Sequence, residues 1–135
     1  EHAMKVLESK NSNIVLMQCN TNYTGLDSNF NYVNLNVLDT FKNKFPNVIL
    51  GLSDHTSGHA TVLGAIAKGA VFIEKHFTID RELPGRDNQF AILPEQMKIL
   101  TDYCNNVEEM NLNHGLDLQD CEQDIVDNYR GRWSR

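Results

Sequence analysis

No stretch of the 135 residues is apolar for long enough to cross a membrane as a helix, which takes about 18 consecutive apolar residues. Positive charge is also scarce: 12 Lys and Arg stand against 18 Asp and Glu, for a formal net charge of −6. Nonspecific nucleic-acid binding needs a basic face, so this balance argues against it. An anionic substrate can still be held by a local patch or a metal. Only three cysteines occur, Cys19, Cys104 and Cys121. Their number is odd and their spacing fits no zinc pattern. The opening residues EHAMKVLESK carry charges at Glu1, Lys5, Glu8 and Lys10 and do not form a secretory signal, so reduced thiols in the cytoplasm are expected. Internal repeats and low-complexity tracts are absent. The chain opens on Glu1 rather than methionine, and its first residues read as the last turns of a helix, as expected of a piece of a longer protein.

Three short apolar runs are present: Asn13 to Cys19, Val48 to Leu52 and Ala70 to Glu74. Each is rich in β-branched residues and nearly continuous in apolarity, which suits strands covered on both faces, as in parallel sheets. Helical spacing lies between them. Leu35, Leu38, Phe41 and Phe45 form one stripe over Val33 to Phe45, stopped by Pro46. Thr56 or Ser57 is expected to cap a helix of small residues that ends at Gly69. Pro94 opens a third helix with Met97, Leu100, Tyr103, Cys104 and Val107 at its apolar positions. This alternation predicts an α/β fold built of βαβ units with right-handed crossovers. Three strands alone suit an open sheet or a barrel equally. After Asn111 the periodicity fades into a polar segment, and the tail Tyr129 to Trp133 is basic and aromatic.

Polar residues cluster where the strands end: Asn20 to Tyr23, Ser53 to Thr56, and Glu74 to Thr78. In parallel α/β folds ligands bind on that side. Residues i and i+2 of a strand share a face, so Ser53 pairs with His55 and Glu74 with His76. A single histidine at a strand end is ordinarily a satisfied polar residue. A pair at equivalent positions on successive strands is a candidate for one divalent ion, with Glu74 as a neighbouring hydrogen-bonding carboxylate. His2, His59 and His114 have no such support, and His59 is expected to be solvated. Asp54 reads as a cap for the following helix, Asp87 as a loop carboxylate, Tyr23 as cover for the sheet rim, and Cys19 as a small hydrophobe packed inside.

Gly51-Leu52-Ser53-Asp54-His55-Thr56, followed 21 positions after His55 by His76 in Ile73-Glu74-Lys75-His76-Phe77-Thr78, closely resembles the sialic acid synthase family. That family holds the N-acetylneuraminate, legionaminate and pseudaminate synthases. Met17-Gln18-Cys19-Asn20-Thr21-Asn22-Tyr23 resembles its "QCTSAYP" segment, Val33-Asn34-Leu35-Asn36 its "DVNL", and Leu93-Pro94-Glu95 its "LEPEE". The likeness runs from about Ile14 to Tyr103. Two departures stand out. The family's proline after Tyr23 is replaced by Thr24, and its "PGPDHxxS" becomes Pro84-Gly85-Arg86-Asp87-Asn88-Gln89-Phe90-Ala91.

The resemblance implies the last three βα units of a (β/α)8 TIM barrel over residues 1–112, with 113–135 as a polar linker or tail leading out of it. It implies condensation of phosphoenolpyruvate with an N-acetylated amino sugar such as N-acetylmannosamine, releasing phosphate. It implies a divalent ion on His55 and His76, manganese first, with magnesium or cobalt as alternatives. Ser53 and Thr21 match positions that contact phosphoenolpyruvate, Tyr23 and Asp87 match positions near the sugar, and Glu74 matches an acidic residue beside the metal. The family's phosphate-binding lysines, on its first strands, and the antifreeze-like domain that serves the partner subunit of a homodimer have no counterpart here. The 135 residues alone are therefore expected to be inactive, and to leave apolar faces and strand edges uncovered. Two other readings stay open: a metal-dependent hydrolase, for which Asp54 is the available third ligand, and a noncatalytic fragment.

Overall fold

The computed structural model describes residues 1–10, 13–129 and 131. In chain order it contains helix α1 (His2–Glu8), strand β1 (Val15–Cys19), α2 (Val37–Lys44), β2 (Ile49–Asp54), α3 (Ala60–Ala67), β3 (Phe72–Lys75), α4 (Pro94–Met110) and α5 (Gln123–Tyr129). Short 3-10 turns occupy Asp27–Tyr32, Asn88–Phe90 and Asp120–Glu122. The strands form one sheet in the order β1-β2-β3, and both pairings are parallel. The expected α/β alternation is present; β1 ends at Cys19 as expected, and the other strand boundaries shift by a residue or two.

Alternation along the central strand makes two different faces. Leu50 and Leu52 of β2 turn toward the helices and are buried, and Leu52 joins Leu38, Val62, Ala65, Ile66, Ala70, Ile92 and Leu100 in one buried core. Leu35, Phe41, Ile73, Met97, Cys104 and Val107 pack around it. Small residues on α3 let the helix sit close to the sheet. A Cβ placed on Gly64 would come within 2.7 Å of Leu35. The opposite face carries Ile49 and Phe72, both exposed, and no helix of the described residues covers it. Gly51 lies on this open face between β1 and β3. A Cβ there would meet the Phe72 carbonyl and the Met17 side chain at 2.9 Å each, so only glycine fits without displacing backbone.

Helix α2 begins four residues later than the apolar stripe suggests. Val37 and Leu38 donate to the carbonyls of Asn34 and Leu35, so the first turn closes through i→i+3 bonds. At the end of α3, Gly69 takes a φ of +93°. Gly69 donates to Ile66 and Ala70 to Ala65, which is the paired bond pattern that ends a helix in a left-handed residue. The expected side-chain cap at the other end is not formed. His59 occupies that position, and the Thr56 hydroxyl is engaged elsewhere. Helix α5 was not legible as a period. It buries no residue and is braced by Gln123–Asp127 and Asn128–Asp124 side-chain bonds one turn apart. Arg130, Arg132 and Trp133 of the basic tail lie outside the described residues. Among the described residues no helix is long and apolar enough to cross a membrane.

Candidate functional site

Strand register builds the site in levels on the open face. Cys19, Ser53 and Glu74 are partners across the three strands. Two residues further on, the same register leads to Thr21, His55 and His76 at the C-terminal ends of the strands. His55 and His76 come together there with ring centroids 5.1 Å apart. Tyr23 packs over both, at 4.3 Å from His55 and 5.7 Å from His76. Phe90 closes the other side, 5.5 Å from His76.

Each imidazole is held by a different device. His55 is buried, and its Nδ1 lies 2.8 Å from the Asn20 carbonyl. A carbonyl only accepts, so Nδ1 is the donor, and in the neutral form of the ring the lone pair then sits on Nε2. The backbone of His76 is pinned by Ile92, whose N–H donates to the His76 carbonyl at 2.7 Å, while Thr78 donates to the Ile92 carbonyl. The His76 Nδ1 lies 3.7 Å from the Asp87 carboxylate, which makes the two an ion pair when the ring is protonated. Thr21 and Glu74 are exposed on the open face, and Ser53 is buried between its strand neighbours.

Two imidazoles that share an ion through nitrogens at about 2.1 Å place their ring centroids roughly 4.5–5.3 Å apart. The observed separation falls in that interval. Among the described residues no group of three or more His, Cys, Asp or Glu side chains gathers around a common point. A pair of this kind could offer an ion at most its two imidazole nitrogens, a donor set unlike that of a closed structural zinc site.

Asp54 does not complete a third ligand. It faces the helices, where its carboxylate accepts from Lys75 Nζ at 2.6 Å and from the backbone N–H and hydroxyl of Thr56. The third ligand proposed for a hydrolase is therefore committed on the wrong face. Two further expectations are corrected. Cys19 is exposed on the open face in register with Ser53, because the odd residues of β1 turn away from the helices. His59 is not simply solvated: its ring packs against Tyr103 at 5.9 Å, and its Nδ1 is buried without a partner. A cavity of about 160 Å³ shares Phe90 with the histidine cluster and is also lined by His59, Arg81 and Gln96. Arg81 is committed there to the Ala91 carbonyl and to Gln96. The paired imidazoles, not this larger space, hold the donor chemistry.

Asn29 was missed in the sequence. It is buried in the turn after β1, and its Nδ2 donates to the Asn22 carbonyl at 3.0 Å and to the His55 carbonyl at 3.5 Å. Its Oδ1 accepts from the Thr24 hydroxyl. One amide thus ties the Tyr23 loop to the end of β2. Replacing Asn29 with alanine is expected to cost about 1–3 kcal/mol, the usual penalty for stranding buried carbonyls. Urea unfolding of the variant checks this, and an unchanged midpoint would remove Asn29 from the scaffold.

The thiols differ as well. Burial, with a smaller contribution from Glu108, pushes the Cys104 thiol above its usual range. Cys19 is open to solvent. Maleimide labelling near neutral pH should therefore modify Cys19 well before Cys104, and Cys104 should catch up only as pH rises. Peptide mass mapping reads the order.

Residues 1–115 match the profile of the NeuB family. The N,N'-diacetyllegionaminic acid synthase of Campylobacter jejuni is 40% identical over 103 residues, covering 74% of this chain and 30% of that protein. The spore coat polysaccharide biosynthesis protein SpsE of Bacillus subtilis is 40% identical over 94 residues, covering 68% of this chain and 24% of that protein. Among solved structures, the N-acetylneuraminic acid (sialic acid) synthetase of Leptospira borgpetersenii superimposes with a TM-score of 0.77 at 29% identity, over 93% of this chain and 43% of that one. The chain spans less than half the length of each of these proteins.

Proposed function

Because the chain belongs to the NeuB family, we propose that it supplies the ion-binding sector of a synthase that condenses phosphoenolpyruvate with an N-acetylated amino sugar, giving a nonulosonic acid and phosphate. The sheet provides three of the eight βα units of a barrel, with the open face turned to the barrel axis. The observation that carries this reading is the meeting of His55 and His76, on adjacent parallel strand ends, at 5.1 Å between rings. Family membership and the relatives named as sialic-type acid synthases support the reaction class.

A divalent ion held by His55 and His76, manganese by preference, would polarise the aldehyde carbonyl of the open-chain sugar. The protein's own groups have distinct tasks. The Asn20 carbonyl accepts from His55 Nδ1, which would leave Nε2 as the atom to meet the ion. Ser53 and Thr21 offer hydroxyls to phosphoenolpyruvate. Tyr23 and Phe90 wall the site and exclude water from the reacting carbons. Asp87 borders the sugar at the outer edge of His76. Glu74, in register with Ser53 one level nearer the start of the strands, would take or return a proton. In the overall reaction carbon 3 of phosphoenolpyruvate bonds to the aldehyde carbon, water adds at carbon 2, and phosphate leaves by C–O cleavage.

The test is incubation of the assembled enzyme with Mn²⁺, phosphoenolpyruvate and N-acetylmannosamine or its diacetylated analogues. Phosphate release that requires both the sugar and the ion is the expected result. Ion binding with no sugar-dependent release would overturn the assignment.

A further inference from the structure

We propose that the buried Asp54–Lys75 pair, with Thr56, is the positioning element that fixes how far apart His55 and His76 stand. The inference rests on the ion-binding reading and goes beyond it, because none of these three residues faces the candidate site. Asp54 and Lys75 are register partners on β2 and β3. Their side chains meet at 2.6 Å and are 1% and 5% exposed. Each immediately precedes one of the histidines in sequence. Strand alternation therefore puts the ion pair on the helix-covered face and the imidazoles on the open one.

The bonding is specific to the segment around His55. Lys75 Nζ also donates to the Thr56 carbonyl at 3.0 Å. The Asp54 carboxylate accepts from the Thr56 N–H at 2.9 Å and from its hydroxyl at 2.7 Å. The Thr56 hydroxyl in turn pairs with Thr61 at the start of α3. His55 is thus bracketed by two residues that are both tied to Lys75, the residue before His76. The chain on either side of one candidate ligand is bonded to the neighbour of the other.

Stability alone gives little reason for such a pair. A buried ion pair seldom outperforms a well-packed apolar pair of the same size, because desolvation offsets the attraction. Register is a different matter. A one-residue slip of β3 against β2 would turn His76 into the helices and leave Lys75 without Asp54. The pair penalises that slip heavily, and it does so next to the two residues whose relative placement matters.

The test uses the assembled synthase loaded with Co²⁺, whose visible absorption bands report ligand identity and geometry. Two variants are compared, Lys75→Met and the charge-free double variant Asp54→Asn/Lys75→Met. Co²⁺ titration and the urea midpoint are measured on each. Co²⁺ affinity is expected to fall about 10–100-fold in both, as for the loss of a group that orients a ligand. The bands should move as well, while the double variant keeps most of its stability because no lone charge is buried. If Lys75→Met does not fold, the double variant decides. A folded variant that binds Co²⁺ within about twofold of the parent, with unchanged bands, overturns the proposal, since lost orientation should cost about tenfold or more. A parent enzyme that takes up no Co²⁺ overturns the ion reading instead.

Discussion

Alanine in place of His76 should remove metal-dependent condensation almost entirely and leave the fold close to intact. Losing a residue that merely orients a ligand typically costs about 10–100-fold in metal affinity or activity, so deleting one of two protein donors should cost more than that. His76 suits this test because its side chain is 30% exposed and it fills no part of the core. The backbone bond its carbonyl accepts from Ile92 does not depend on the ring. His55→Ala should show the same loss of turnover with an added loss of stability, because that ring is buried and satisfies the Asn20 carbonyl. The contrast separates ligand loss from damage to the scaffold. Turnover, Mn²⁺ affinity and the urea midpoint are measured together for both variants. Undiminished turnover in His76→Ala would contradict the assignment.

The positions of those two histidines were legible because two independent regularities agree. Continuous apolar runs mark the strands, and a period of two from Ser53 and Glu74 carries each strand's facing direction to its end. The same rule places Asp54 and Lys75 on the opposite face, and Cys19 with Ser53. Cysteine's usual preference for burial points Cys19 inward, but alternation along β1 overrides it. Other features carry no periodic signal at all. Asn29 is one asparagine in a polar turn, and only its burial and its three bonds distinguish it. Phe90 reaches His76 through a 3-10 turn that no spacing announces. The Asn20 carbonyl that sets the His55 tautomer is backbone and is invisible to any side-chain pattern. Helix α5 escaped notice because it buries nothing, so no apolar stripe marks it.

Phe72→Lys should have opposite consequences in two settings, and that sign change tests the barrel directly. In the 135-residue chain by itself, Phe72 is 55% exposed on the open face beside Ile49 at 42%. The outer side of β1 is unpaired among the described residues. An apolar face next to an open strand edge favours association between copies, and a lysine on such a face opposes it. The variant chain should therefore sediment as smaller species than the parent chain, and neither should catalyse condensation. In the proposed barrel the same face would turn inward, and Phe72, whose backbone lies close to Gly51, would be enclosed with it. A lysine there is an unpaired buried charge, whose effective cost is several kcal/mol. The assembled variant should lose stability on that scale and most of its turnover, although Phe72 touches no substrate. An assembled variant with parental stability and turnover would mean that the open face is never enclosed. The three strands would then belong to an open sheet, and the two imidazoles would stand at its rim rather than inside a barrel mouth.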